Sequence, residues 1–174
     1  MATSPASLTG RERTFPEDEI IVSKTDPQGR LTYVNDVFLD VSGYVEPEVI
    51  GKPHNVIRHP EMPRCVFKLL WERIQAGQEV FAYVNNRAKN GDHYWVFAHV
   101  TPNFGPGGEI TGFHSNRRAP RREAIEILKP IYAKLCAEEN RHSDRKAGTE
   151  AAYRSLMDTV AVQGKSYDQF ILEI

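Results

Sequence analysis

The sequence predicts an α+β domain on a five-stranded antiparallel sheet flanked by short helices, followed by a helical C-terminal extension. Strand-like segments lie at both ends of the first 120 residues with helical segments between them, an order typical of this class. The last three strand-like segments are separated by turn sequences, which favours hairpins. We therefore divide the 174 residues into a flexible arm over residues 1–17, a domain over 18–120 and an extension over 121–174.

Two short strands open the domain, at residues 20–22 and 31–34, and a proline and a glycine between them are typical of a turn. Asn35 is a suitable N-cap for a short helix over residues 36–42, because its side chain can accept a hydrogen bond from a free backbone N–H group. Pro47 favours a second helical turn, since proline is well tolerated at the first position of a helix. Small helical elements therefore follow the first two strands.

One longer helix and three strands complete the domain. Apolar side chains recur at spacings of three and four within residues 63–76, which predicts a helix with one apolar side. An Asn-Gly turn then separates apolar runs at 80–86 and 93–102, and this is a strong signal of a hairpin. A glycine-rich turn precedes a last strand at 110–117.

The extension carries helical stripes of apolar residues within 125–135 and 153–160, and Ser166 can cap a final short helix. Pro130 is expected to interrupt the first stripe, because proline removes a helix hydrogen bond. The highly charged residues 137–148 between the stripes are expected to be exposed.

Composition excludes several functional classes. Lys and Arg total 22 against 23 Asp and Glu, so the net charge of −1 gives no reason to expect nucleic-acid binding. No apolar run approaches the ~20 residues that span a bilayer, and the N-terminus lacks the apolar core of a signal peptide. The two cysteines, Cys65 and Cys136, are too few for a disulfide framework. We expect a cytoplasmic domain without direct membrane insertion.

The sequence shows no catalytic constellation. Ser, His and Asp residues have no spacing typical of nucleophilic catalysis, and no cluster has metal-ligand spacing. The glycine-rich stretch Gly105–Gly108 predicts a turn rather than a nucleotide loop, because no helix follows it. We therefore do not expect an enzyme.

Five stretches of the domain carry a family pattern. They are Tyr33-Val34-Asn35-Asp36, Val41-Ser42-Gly43-Tyr44, Ile50-Gly51-Lys52-Pro53-His54-Asn55, Arg58-His59-Pro60-Glu61-Met62-Pro63 and Lys89-Asn90-Gly91-Asp92-His93-Tyr94-Trp95. Together they resemble the PAS domain of bacterial aerotaxis receptors, over residues 18–120. The resemblance implies the PAS fold, in which the concave face of the sheet forms a pocket for non-covalent FAD that acts as a redox antenna.

The resemblance also implies output by protein contact. The expected partner is a methyl-accepting chemotaxis-type receptor or another signalling protein, and we expect a homodimer. Aerotaxis receptors usually continue into a membrane anchor and a methyl-accepting domain, which this sequence lacks, so it looks like the stand-alone PAS partner of a split receptor. A second departure is Val80, where the family often has a flavin-stacking tryptophan.

Arg58 and His59 are the first candidate cofactor-binding residues. A cationic pair on an irregular loop suits a pyrophosphate, because arginine offers a planar fork of donors. An exposed arginine beside a helix-capping histidine is the alternative from the residues alone. The resemblance implies that this pair is needed for FAD, and it places Glu61 where the family commonly has aspartate.

Two further candidates are His54 and Trp71. Related light-sensing flavin domains carry a reactive cysteine in the region of His54, so a thiol adduct with flavin is not expected here. Since a neutral imidazole can also bind iron, His54 or His59 could instead be a heme ligand. Trp71 has the spacing of an ordinary core residue, and the resemblance places it near the cofactor.

The predicted hairpin has two distinct faces because strand side chains alternate. One face is small and apolar, with the candidates Asn86 and Tyr94 at its edge; it comprises Val80, Ala82, Val84, Asn86, Tyr94, Val96, Ala98 and Val100. It leaves room for a flat ring whose edge could bond to Asn86, or it is an ordinary sheet core. The opposite face is aromatic, with Phe81, Tyr83, Trp95, Phe97 and His99, and we expect the C-terminal helices or a partner to cover it.

The leading hypothesis is a cytoplasmic PAS sensor that binds FAD and reports redox state, or oxygen indirectly, to an aerotaxis-type receptor. Two alternatives stay open from the sequence. One is a gas sensor that binds heme b, and the other is a cofactor-free PAS module for protein interaction or dimerisation.

Overall fold

The computed structural model describes residues 7–174, which form one five-stranded antiparallel sheet and its flanking helices. The elements in chain order are β1 (Ile21–Thr25), β2 (Leu31–Val34), α1 (Asp36–Ser42), α2 (Glu46–Val49), a 3-10 turn (His54–Ile57), α3 (Arg64–Gln75), β3 (Val80–Arg87), β4 (His93–Phe104), β5 (Ile110–Arg118), α4 (Arg122–Asn140), α5 (Arg145–Ala161) and α6 (Tyr167–Glu173). The strand order is β2-β1-β5-β4-β3, so β3 is an edge strand. The predicted fold class is confirmed.

Local sequence signals set the ends of the first helices. The Asn35 side chain accepts a hydrogen bond from the backbone N–H of Phe38 at 3.1 Å, as predicted for the N-cap of α1. Gly43 ends that helix in the left-handed conformation, with φ of 72°. These short elements bring the 3-10 turn and α3 over one face of the sheet, which we call the inner face.

The hairpin has the predicted register. Val80 pairs with Val100 and Asn86 pairs with Tyr94, so the small apolar side chains of both strands share the inner face. The aromatic side chains lie on the other face, which we call the outer face, where the Phe81 ring stacks on His99 at 4.2 Å between centroids.

The C-terminal helices pack along the edge of β3. The hydroxyl of Tyr132 on α4 donates to the carbonyl of Tyr83 at 2.8 Å, and the hydroxyl of Tyr167 on α6 donates to the carbonyl of Phe81 at 3.0 Å. These bonds satisfy outward carbonyls that an edge strand otherwise leaves unpaired. The extension therefore covers part of the β3 edge of the sheet.

The helices cover only part of the outer face. Tyr132 stacks on Trp95 with 6.1 Å between ring centroids, and both Tyr83 and Trp95 are buried. Phe81 and Phe97 stay half-buried. The expectation that the extension docks on the outer face thus holds for the part of that face around Tyr83 and Trp95.

Two expectations for the extension are corrected. Helix α4 runs from Arg122 to Asn140 through Pro130 without interruption, since Pro130 is exposed and water can satisfy the backbone carbonyl that it leaves free. The charged segment is not exposed throughout, because Glu139 is 3% exposed. Its carboxylate accepts the backbone N–H of Cys65 at 2.8 Å, at the start of α3.

The predicted flexible arm is only partly described, since residues 1–6 lie outside the described residues. The structure differs from the expectation for residues 9–13, which hydrogen-bond along the turn of the hairpin. The Asp92 carboxylate holds this segment, accepting from the hydroxyl of Thr9 at 2.6 Å and from the guanidinium of Arg11 at 3.0 Å. These bonds hold the pKa of Asp92 well below its usual range. From residue 7 to 174, no helix has both the length and the hydropathy to cross a membrane.

Candidate functional site

A cavity of about 500 Å³ lies between the inner face and α3, and we call it the first cavity. This volume falls within the range of small-molecule sites in proteins, about 300–1,000 Å³. Its apolar wall comes from the sheet and from α3, with Val84, Ala98, Val100, Phe113, Phe67, Leu70, Trp71 and Ile74. The small side chains on β3 and β4 create the space, as the strand alternation predicts.

Arg117 is the central polar group of the first cavity. It lies on β5 and is only 4% exposed. One guanidinium nitrogen, Nη2, donates to the Ser23 hydroxyl at 2.8 Å and to Nε2 of His54. The other, Nη1, is buried and has no hydrogen-bond partner among the described residues. Burial lowers the pKa of Arg117 to about 10, so the side chain remains charged at neutral pH.

His54 is held in its neutral form. Burial, and secondly the charge of Arg117, lower its pKa to about 3. Its Nε2 atom therefore acts as an acceptor for Arg117, and Ser23 lies 3.2 Å from the same atom. Because that nitrogen is engaged by a cation, the geometry does not favour His54 as a heme ligand.

Four polar atoms in the cavity wall are buried without a hydrogen-bond partner among residues 7–174. They are Asn86 Nδ2, Arg117 Nη1, Thr25 Oγ1 and Ser115 Oγ. Buried polar groups are almost always hydrogen-bonded, because an unmade bond costs about 1–3 kcal/mol. The cavity thus offers an apolar wall with a small polar patch to a ligand of matching chemistry. A flavin ring fits this pattern, since it is flat and carries carbonyl and N–H groups along one edge.

Trp71 lies in the wall of the first cavity. Its ring packs edge-on against Phe113, with 5.5 Å between centroids. The ring also lies against Gly29, where an added Cβ atom would be 2.6 Å from Cη2 of Trp71. Gly29 has a φ of 79°, so both its backbone and the space beside it require glycine.

A second cavity of about 500 Å³ lies beside the first one. Its wall includes His59, Glu61 and Met62 before α3, and Cys136, Glu139 and Asn140 on α4. Four residues line both cavities: Asn55, Arg58, Arg64 and Arg145. The two spaces therefore meet at a boundary that contains three arginines.

Arg58 connects this boundary to the sheet. Its guanidinium lies over the ring of Phe67, 4.4 Å from the centroid, and donates to the carbonyl of Met62 at 2.9 Å. Its backbone pairs with that of Asn86. The pKa of Arg58 is lowered, mainly by burial of its side chain. Stacking holds the guanidinium plane in place in the shared wall of the two cavities.

His59 and Glu61 line the second cavity only. Nδ1 of His59 accepts the backbone N–H of Glu61 at 3.2 Å, and burial lowers the pKa of His59. The carboxylate of Glu61 is exposed, 4.0 Å from that nitrogen. From residue 7 onwards, no three His, Cys, Asp or Glu side chains are arranged to hold a metal ion.

Tyr94 is the one predicted site residue that lines neither cavity. It faces inward opposite Asn86, as the register requires, but it is 1% exposed and lies within the hydrophobic core. Burial raises the pKa of its hydroxyl. Its place is behind the site, beside Asn86, rather than in the cavity wall.

Sequence reasoning missed the polar residues that β1 and β5 contribute. Arg117 stands among four arginines within residues 117–122, a run of charge that is typical of a solvated surface. The available sequence signal for the burial of Arg117 was strand alternation. Phe113, Ser115 and Arg117 lie on the same face of β5, and the apolar Phe113 indicates that this face is buried. Arg64 and Arg145 gave no local signal, since the docking of the C-terminal helices brings them together.

Comparisons with known proteins agree with this architecture. A sequence profile described as the PAS fold matches residues 31–116. The aerotaxis receptor of Escherichia coli K12 is 39% identical over 130 residues, which cover 75% of this chain and 26% of that protein. The blue-light-activated histidine kinase 1 of Erythrobacter litoralis is 29% identical over 115 residues, covering 63% of this chain and 32% of that protein. The chain thus spans a third or less of the length of these relatives.

Solved structures show the same fold. The light-state structure of the blue-light photoreceptor Aureochrome1 LOV superposes with a TM-score of 0.54 and 22% identity. The match covers 70% of this chain and 91% of that one. At this level of identity the similarity describes the arrangement of strands and helices.

Proposed function

The chain carries a PAS domain of the aerotaxis-receptor type, and we propose that this domain is a redox sensor with FAD as its cofactor. When bound, a flavin supplies reversible uptake of electrons and protons. The residues of this chain hold it, exclude water from its ring and present a fixed set of donors to its polar edge. The PAS domain itself is homologous to the aerotaxis receptor and to blue-light-activated histidine kinases.

The observation that carries the proposal is the buried, unpaired cation in the first cavity. Burying a charge without a counter-charge costs several kcal/mol, so such groups in proteins usually face a ligand or an opposite charge. No carboxylate within residues 7–174 forms an ion pair with Arg117. The carbonyl oxygens of a flavin edge would accept from Nη1 of Arg117 and from Nδ2 of Asn86. A cofactor-free module would leave both donors to water.

The remaining predicted residues have supporting places in this proposal. Trp71 would pack beside the ring, and His54 would orient Arg117. Arg58 would bind phosphate, with His59 and Glu61 farther along the second cavity. Because Tyr94 lies behind Asn86, we assign it a supporting position without direct contact.

We further propose that the sensor signals by contact with a methyl-accepting chemotaxis-type receptor or another signalling protein. The name of the Escherichia coli relative, an aerotaxis receptor, supports this output. A cytoplasmic location and a homodimer belong to the same proposal. The half-buried Phe81 and Phe97 on the outer face are the surface that a partner would cover.

The proposal is tested by comparing Arg117→Met with Arg118→Met, the exposed neighbour on the same strand. Wild type and Arg118→Met should bind FAD in a fluorescence titration. Arg117→Met should bind about tenfold or more weakly, because hydrogen bonds to charged groups contribute about 1.5–3 kcal/mol.

A stability measurement separates this result from misfolding. Removing an unpaired buried cation should leave the cofactor-free Arg117→Met protein as stable as wild type, or more stable. Reduced FAD affinity with retained stability supports the proposal. Wild-type protein that does not bind FAD, or equal affinity in both variants, contradicts it.

A further inference from the structure

Three arginines from separate parts of the chain meet where the two cavities join. Arg58 precedes α3, Arg64 begins α3, and Arg145 begins α5 in the C-terminal extension. We propose that they bind the diphosphate of a dinucleotide cofactor, so that the extension forms part of the cofactor site. This inference rests on the proposed function and names a residue, Arg145, outside the PAS profile match at 31–116.

The charges at this boundary favour an anion. Within the described residues, neither Arg58 nor Arg145 forms an ion pair with a carboxylate, whereas Arg64 lies 3.4 Å from Glu139. That carboxylate is also engaged by a backbone N–H of α3, and Glu61 is the other acidic group in the wall of the second cavity. Three guanidinium groups and two carboxylates therefore line this region, which leaves an excess of positive charge. The planar guanidinium group also has the geometry to donate two hydrogen bonds to phosphate oxygens.

The dimensions of the site favour a ligand with two parts. Each cavity is of about 500 Å³, and the shared wall lies between them. A ring system in the first cavity and a nucleoside in the second would place the linking diphosphate at the arginines. FAD has this architecture, whereas FMN ends in a single phosphate and riboflavin has none.

The same boundary holds the extension to the PAS domain. Nε of Arg64 donates to the hydroxyl of Thr149 on α5 at 3.1 Å, and Glu139 on α4 accepts the backbone N–H of Cys65 at 2.8 Å. An anion bound by Arg64 and Arg145 would add a further link between α3 and α5. By thermodynamic linkage, dinucleotide binding then stabilises the docked helices, and their docking strengthens dinucleotide binding.

The test compares Arg145→Gln with Lys146→Gln, which removes a positive charge from the next residue, outside both cavities. FAD, FMN and riboflavin are titrated into cofactor-stripped full-length protein. Arg145→Gln should weaken FAD binding about tenfold, or about 1.4 kcal/mol, and leave riboflavin binding unchanged. Lys146→Gln should change neither. FAD, but not riboflavin, should slow backbone hydrogen exchange in α5 of the wild type.

Two kinds of failure are distinguishable. Wild-type protein that binds none of the three flavins overturns the proposed function, and this inference falls with it. Riboflavin binding together with equal FAD affinity in wild type and Arg145→Gln overturns the inference and leaves the flavin site intact. Equal weakening of FAD and riboflavin in Arg145→Gln also overturns it, because a phosphate contact affects only the phosphorylated ligand.

Discussion

Replacing His54 with glutamine should remove a defined part of the acid sensitivity of this protein. In the folded state His54 is neutral and accepts a hydrogen bond from the buried Arg117, so protonation would place two cations in contact. A glutamine can keep an acceptor near the guanidinium but does not titrate. The difference between wild type and His54→Gln therefore isolates one ionisation.

The magnitude follows from the two pKa values of His54. In the folded protein its pKa is about 3, against an ordinary value of 6.5. Since the unfolded chain binds the proton more tightly, stability is fully present above pH 6.5 and falls as the pH drops toward 3. The slope is about 1.4 kcal/mol per pH unit, so about 2 kcal/mol is lost by about pH 5.

Urea unfolding of both proteins at about pH 7.5 and about pH 5 measures this difference. Other titrating groups, including His59, are present in both proteins and cancel in the comparison. Wild type should lose about 2 kcal/mol more than His54→Gln on acidification. Equal losses in the two proteins would refute the assignment of His54 as a half-buried, neutral acceptor for Arg117.

Three further changes have defined outcomes. Tyr132→Phe removes the donor to the buried carbonyl of Tyr83, so the free energy of unfolding in urea should fall by about 1–2 kcal/mol. An unchanged free energy of unfolding would mean that α4 docks without this bond. Gly29→Ala places a Cβ against the ring of Trp71, so the Tm and the FAD affinity should both fall, and unaltered values would contradict this packing. Blue light should form no cysteinyl–flavin adduct, because neither cysteine lines the first cavity and burial raises both thiol pKa values. A bleached spectrum that disappears in Cys65→Ala would refute this.

Local patterns were sufficient to predict the sheet and its hairpin. The Asn-Gly turn and the alternation of small and aromatic residues determine which faces Asn86 and Trp95 occupy, because a slip of one residue would reverse every side chain. The two ends of α1 could also be predicted, since Asn35 and Gly43 form hydrogen bonds to residues three or four positions away. The hairpin faces and the ends of α1, which depend on such short-range rules, agree with the prediction.

The polar centre of the site depends on contacts that are distant in sequence. Arg117 stands in a run of arginines, and its hydrogen bonds to Ser23 and His54 in the folded domain distinguish it from its exposed neighbours. Glu139 and Arg145 lie in a charged segment that is typical of a solvated surface, and tertiary docking against α3 gives them their partners and neighbours. Charge patterns alone therefore could not distinguish these residues from their exposed neighbours.

The flavin content of the purified protein tests the central claim most directly. The measurement is the visible absorption spectrum, with chromatographic identification of whatever the protein releases on denaturation. We predict flavin bands and FAD as the released compound. A Soret band would instead show that the cofactor is heme. A colourless protein that also fails to take up added FAD would contradict the assignment of the first cavity as a flavin site.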